Sequence, residues 1–142
     1  MKVKTLEYLK LIAIINILIC CLCIALFPQT VLNVISNGYY IFNNGKYLGS
    51  IEEGQKINHE FVFWNLSFDT IKIGLIEPGC SCSLASVSCY EIHPFRKSVV
   101  KLQIDTHLIG QGQTIKGLRL KLEDGRVNNL FVSFTVMSKS NK

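Results

Sequence analysis

From Lys46 onward, apolar residues recur at every second position, and this period of two constrains the fold more than any other feature. Side chains on an extended strand alternate between faces, so such a run has one face for a core and one for water. In Lys56 to Asn65, Ile57, Phe61 and Phe63 share one face, while Asn58, Glu60, Val62 and Trp64 take the other. Ile71, Ile73 and Leu75 repeat the pattern, as do Val100, Leu102 and Ile104, then Leu118, Leu120 and Leu122, then Leu130, Val132, Phe134 and Val136. Tyr47 to Ile51 reads as a short strand closed by Glu52-Glu53-Gly54, and Val87, Tyr90 and Ile92 as another before Pro94. Asp124-Gly125 between two alternating runs is a hairpin signal, because both central residues tolerate positive φ. Short strands with a turn about every ten residues predict an all-β fold, an antiparallel immunoglobulin-like sandwich of about seven strands.

The 142 residues allow one domain of this kind. They divide into an N-terminal helix at 1–27, a linker at 28–45, the sandwich at 46–137 and a polar tail at 138–142. Leu11 to Phe27 is apolar except for Asn16, and as a helix it would span roughly 25 Å. Lys2, Lys4 and Lys10 precede or open that run against one acid, Glu7. The layout suits a transmembrane signal anchor or a cleaved signal peptide. By the positive-inside rule the lysines stay in the cytoplasm. The expectation is a single-pass protein of the cell inner membrane, tethered by its N-terminal helix, with the C-terminal domain periplasmic or extracellular. Pro28 ends the helix. Tyr39, Tyr40 and Phe42 suit either an interfacial aromatic belt or a first strand. The net charge of +5 is scattered without a basic stripe, which argues against nucleic acid as a partner.

Chemistry-bearing residues gather at one place, Pro78-Gly79-Cys80-Ser81-Cys82, followed by Cys89 and His93. On an extended segment the Cα atoms of Cys80 and Cys82 lie ~6.6 Å apart, near the upper limit for a disulfide. A bridge between them is possible but strained, and a bridge from either one to Cys89 is the easier alternative. One disulfide within Cys80, Cys82 and Cys89 is expected, with no metal and no cofactor. The alternative is a zinc or cuprous copper site made of Cys80, Cys82, Cys89 and His93, or a thiol-redox centre. The spacing lacks the C-x2-C knuckle common at zinc. Cys20, Cys21 and Cys23, in the apolar run, read as small hydrophobes, and Leu18-Ile19-Cys20-Cys21 is a poor lipidation signal. No nucleophile elbow, phosphate loop or H-E-x-x-H motif occurs, so no catalytic residue is assigned. Glu52 and Glu53 read as a solvated turn, and Asn65-Leu66-Ser67 is a formal glycosylation sequon.

Several stretches resemble the bacterial family called domain of unknown function 1573. They are Leu48-Gly49-Ser50-Ile51-Glu52-Glu53-Gly54, His59-Glu60-Phe61-Val62-Phe63-Trp64-Asn65, Ile71-Lys72-Ile73 and Cys80-Ser81-Cys82, with Ile92-His93-Pro94 and Leu102-Gln103-Ile104-Asp105-Thr106 further on. The resemblance covers Tyr47 to Val136, and Ser81 stands where the family usually has glycine. It implies an exported immunoglobulin-like sandwich, related to ASPM and Hydin type domains, and no assigned activity. The expected function is therefore a non-catalytic binding or scaffolding module with a protein partner, engaged through edge strands or end loops.

Overall fold

The computed structural model describes residues 2–26 and 28–138, with side chains at all of these except 2–6, 23, 24, 28–31 and 33. The chain forms two compact units, residues 1–38 and 39–142.

The first unit holds two helices, α1 (Lys2–Leu26) and α2 (Pro28–Asn37). Within α1, the polar Asn16 side chain donates to the Ile12 carbonyl at 2.9 Å. Proline opens α2 at a position where its missing N–H costs nothing. Gly38, at φ 73°, ends it, and its N–H returns to the Val34 carbonyl at 2.9 Å. Part of the expected linker is therefore helical. The described side chains of α1 include the charged Glu7 and Lys10 and the polar Asn16, which interrupt its apolar character. Among the described residues no helix is long and apolar enough to cross a membrane. This corrects the expectation of a single-pass inner-membrane protein with its C-terminal domain periplasmic or extracellular.

The second unit is a two-layer β-sandwich. One sheet has the order β1-β3-β7-β5 and the other β2-β9-β8-β4-β6. The strands are β1 (Tyr39–Phe42), β2 (Lys46–Glu52), β3 (Lys56–Asn65), β4 (Ile71–Pro78), β5 (Ser83–Val87), β6 (Glu91–Ile92), β7 (Lys97–Asp105), β8 (Gly112–Leu122) and β9 (Val127–Met137). The described strands number nine, against about seven expected. All pairs are antiparallel except β2 with β9, which run parallel. The core lies where alternation places it. Phe61, Phe63, Val100, Leu102 and Ile104 of one sheet meet Leu120, Leu122, Leu130, Val132 and Phe134 of the other, each at most 1% exposed. Burying each such side chain contributes roughly 1.5–3 kcal/mol.

Three local features depart from the simple pattern. A register shift between Ile73 and Leu75 turns β4 over at Gly74. Leu75 is thereby exposed and Ile76 packs on the core, opposite to strict alternation. The segment 83–92 is two strands rather than one, and Tyr90 between them faces solvent. The 123–126 hairpin is present, but only Gly125 has positive φ, 90°. Its N–H bonds the Leu122 carbonyl at 3.1 Å, and the Leu122 N–H bonds the Arg126 carbonyl at 2.9 Å. This is a type I turn closed by a left-handed glycine, so Asp124 keeps an ordinary conformation. Tyr39, expected in the linker, is instead a core residue. It stacks on Phe63 at 4.5 Å, donates to Asn128 Oδ1 at 2.9 Å and lies 4.9 Å beneath the Arg126 guanidinium.

Candidate functional site

The cysteine segment is where the chain passes from one sheet to the other. At the end of β4 the Gly79 N–H bonds the Gly117 carbonyl of β8 at 2.9 Å. Four residues later β5 begins in the opposite sheet. Between them the Ser83 N–H donates to the Cys80 carbonyl at 3.1 Å, which makes Cys80-Ser81-Cys82-Ser83 a tight turn. The turn draws the Cys80 and Cys82 Cα atoms to 5.2 Å, and the two are joined by a disulfide. The ~6.6 Å spacing expected of an extended segment does not apply, because the segment is not extended. Neither Ser81 nor Cys82 has positive φ, so serine serves where the resembled family has glycine.

Cys82 is buried and Cys80 packs against the core from a partly exposed position. The Ser83 hydroxyl sits 3.2 Å from Cys80 Sγ. The Asp105 N–H donates to the Cys82 carbonyl at 2.9 Å, tying the crossover to β7. The remaining candidates are elsewhere. Cys89 is an exposed free thiol whose Sγ–H donates to the Glu91 carbonyl at 3.0 Å. His93 Nδ1 lies 3.4 Å from Thr70 Oγ1 in a different loop. Cys80, Cys82, Cys89 and His93 therefore do not converge. Among the described residues, no group of three or more His, Cys, Asp and Glu side chains is placed to hold a metal ion.

Other singled-out residues have local roles. Glu53 accepts from the Gln111 amide at 3.3 Å at the surface. His59 faces inward and bonds the Asn43 carbonyl through Nε2 at 3.0 Å. Asn65 of the sequon is 0% exposed, with its amide bonded to two carbonyls, so the folded chain offers no acceptor there.

What the crossover creates is an open sheet edge. β5 pairs with β7 on one side only. In that ladder the Ser88 N–H bonds the Val99 carbonyl, and the Asp105 N–H bonds the Cys82 carbonyl. Antiparallel ladders alternate, so Leu84 and Ser86 also face β7. The N–H and C=O groups of Ala85 and Val87 point to the free edge. Edge strands are usually blunted by charge, proline, a bulge or shortness. β2 has Lys46, Glu52 and a register shift, and β6 has two residues. β5 reads Ser-Leu-Ala-Ser-Val, with none of the first three devices. Beside it, on the outer face of the sheet, lies a shallow trough of about 430 Å³ lined by Asn58, Glu60, Leu84, Ser86, Lys101 and Gln103, with His59, Ala85 and Leu102 at its floor. A smaller hollow of about 190 Å³ adjoins Cys82, flanked by the exposed side chains of Leu84 and Leu108. The sequence signal for this edge was the absence of any charged residue from Cys80 to Tyr90.

No protein-family model and no curated protein matches the chain. Solved structures do. A protein of unknown function from Porphyromonas gingivalis W83 is similar at TM-score 0.60 and 11% identity, over 68% of this chain and 46% of its own. The secreted serine protease VesC from Vibrio cholerae is similar at TM-score 0.59 and 14% identity, over 83% of this chain and 27% of its own. The ASH / PapD-like domain of human CEP192 is similar at TM-score 0.51 and 8% identity, over 72% of this chain and 87% of its own. The chain thus spans less than half the length of the first two. At these identities the likeness shows the fold alone, an all-β sandwich of the PapD-like and immunoglobulin-like kind.

Proposed function

We propose that the protein is a non-catalytic binding module that captures an extended protein segment by adding it to the free edge of β5. The observation that carries this reading is the unblunted, uncharged edge at Ser83–Val87. Main-chain hydrogen bonds from Ala85 and Val87 would supply affinity, and the hollow between Leu84 and Leu108 would take one side chain of the partner. The disulfide holds the crossover that aims this edge. The resemblance to domain of unknown function 1573 accords with such a role and adds no activity.

Ala85→Pro tests it, because proline deletes an outward N–H and leaves the bonds of Leu84 and Ser86 to β7 in place. Extended peptides selected from a display library against the full chain are expected to lose binding to the variant at unchanged melting temperature. Equal binding to both forms refutes edge capture. A second reading, thiol exchange, rests on the Ser83 hydroxyl beside the partly exposed Cys80 Sγ. It requires the Cys80–Cys82 disulfide to oxidise a peptide dithiol, which leaves as a disulfide while both protein cysteines become thiols, and Cys80→Ser to abolish that exchange.

A further inference from the structure

The end of the sandwich remote from the disulfide displays an apolar surface that the binding edge does not use. Strand β3 connects the two ends. Lys56 pairs with Asp105 beside the crossover, and Asn65 follows Trp64 at the opposite end, where Trp64 pairs with Lys97. There, the loop after β3 carries Phe68, 86% exposed, and the loop before β7 carries Phe95, 53% exposed. Their rings meet edge to face at 5.2 Å. Both loops are rigidly built. The Asn65 amide bonds the Asp69 and Ile92 carbonyls, and its oxygen accepts from the Ser67 N–H and hydroxyl. Phe95 holds φ 57°, a left-handed conformation that a bulky residue adopts only when its surroundings impose it. Leu66 adds to the tip, and the adjoining outer face presents Trp64 and Phe42, 6.4 Å apart.

Phe68 and Phe95 stand exposed, and exposed rings of this kind insert into another phase rather than receive a ligand. Its charge is also biased. Arg96 and Lys97 follow Phe95 directly and are exposed, and the exposed Asp69 adjoins Phe68, so residues 66–70 and 93–97 carry two cations against one acid. Tyr40, packed on Phe42 at 4.6 Å and paired with Trp64 across the strands, completes a band of Tyr, Trp and Phe next to the two loops. Aromatic side chains with an apolar body, bordered by Arg and Lys, are the composition that settles at the boundary between lipid headgroups and acyl chains.

We infer that the Phe68–Phe95 end of the sandwich docks peripherally on an anionic lipid surface, with both rings in the acyl boundary and Arg96 and Lys97 at the headgroups. The contact needs no membrane-crossing helix and does not depend on the β5 edge. Trp64, the single tryptophan, reports on it directly. The full chain is mixed with vesicles of phosphatidylcholine and phosphatidylglycerol whose acyl chains are brominated. Trp64 fluorescence is expected to shift to the blue and be quenched. Phe68→Ser combined with Phe95→Gly should cut vesicle partitioning by about tenfold or more. Glycine suits the left-handed position, and Phe68→Ser alone, at an 86% exposed site, keeps the test decisive if the pair misfolds. Vesicles without phosphatidylglycerol should weaken the quenched state by about fivefold for each of Arg96 and Lys97 in contact. Unquenched Trp64 on a chain that sediments with vesicles overturns the inference, since binding then lies elsewhere. So does quenching that survives the loss of Phe68, or that is equal on neutral vesicles. If vesicles leave the protein wholly unaffected, the inference fails and the rings are left to a pocket on a protein partner.

Discussion

Replacing Asn65 should cost the sandwich more than any other polar substitution considered, and the reason is visible in its four hydrogen bonds. Nδ2 donates to the Asp69 carbonyl at 2.7 Å and the Ile92 carbonyl at 2.8 Å. Oδ1 accepts from the Ser67 N–H at 2.9 Å and the Ser67 hydroxyl at 2.7 Å. Asn65 is 0% exposed and Ile92 1%, so water cannot readily replace the lost partners. In Asn65→Ala the Ser67 hydroxyl keeps the Asp69 carbonyl at 3.1 Å, while the Ile92 carbonyl and the Ser67 N–H lose their partner. At roughly 1–3 kcal/mol for each of these two groups left unsatisfied, the loss should be about 2–6 kcal/mol. That is a large share of a stability of roughly 5–15 kcal/mol. Asn65→Asp separates this account from simple cavity formation. Its carboxylate would face two carbonyl oxygens, so the folded state should favour the protonated acid and raise its pKa above the unfolded value. The penalty is then greatest at neutral pH and falls as pH drops through the raised folded pKa. Urea unfolding followed by Trp64 fluorescence measures both variants. A loss below about 1 kcal/mol for Asn65→Ala, or an aspartate variant no worse than alanine at pH 7, would refute the reasoning.

Alkylation without reductant should label Cys89 and leave the peptide bearing Cys80 and Cys82 unlabelled, as intact and peptide mass spectrometry would show. Breaking that short bridge in Cys80→Ser/Cys82→Ser should cost only about 1.5 kcal/mol, because a small ring restricts the unfolded chain little, and the chain should still fold. At the β8–β9 hairpin, the Arg126 guanidinium bonding Asp124 at 2.6 Å and 2.8 Å holds the Asp124 carboxyl below its ordinary value of 3.8. A depressed folded pKa means stability present above the ordinary value and lost as pH falls through the folded one. The pair is about half exposed, so Asp124→Asn should cost under about 1 kcal/mol at pH 7 and flatten the acid limb of stability, as thermal melts across pH would record.

Much of the fold was legible because alternation is a local property. Phe61 and Phe63, Leu118 to Leu122 and Leu130 to Val136 each carry their own record of which face is buried, and the sheets obey it. The candidate site was legible only as a place. The sequence marked Cys80, Cys82, Cys89 and His93, but spacing on an extended chain was the wrong geometry for a segment that turns between two sheets. Asn65 looked like a sequon because nothing near it in sequence reveals the Ile92 carbonyl, twenty-seven residues away, that fills its amide.

Local alternation already specifies a two-faced all-β body, with most of its core residues and the β8–β9 hairpin in place. Long-range packing set how the strands are shared out. It drew Tyr39–Phe42 into the first sheet, laid β2 parallel to β9, turned β4 over at Gly74, paired Cys80 with Cys82 and left β5 with a free edge. A side chain's face depends on its neighbours two residues away. A strand's partner depends on which distant segment can reach it, and on the hydrogen bonds that segment still has to satisfy.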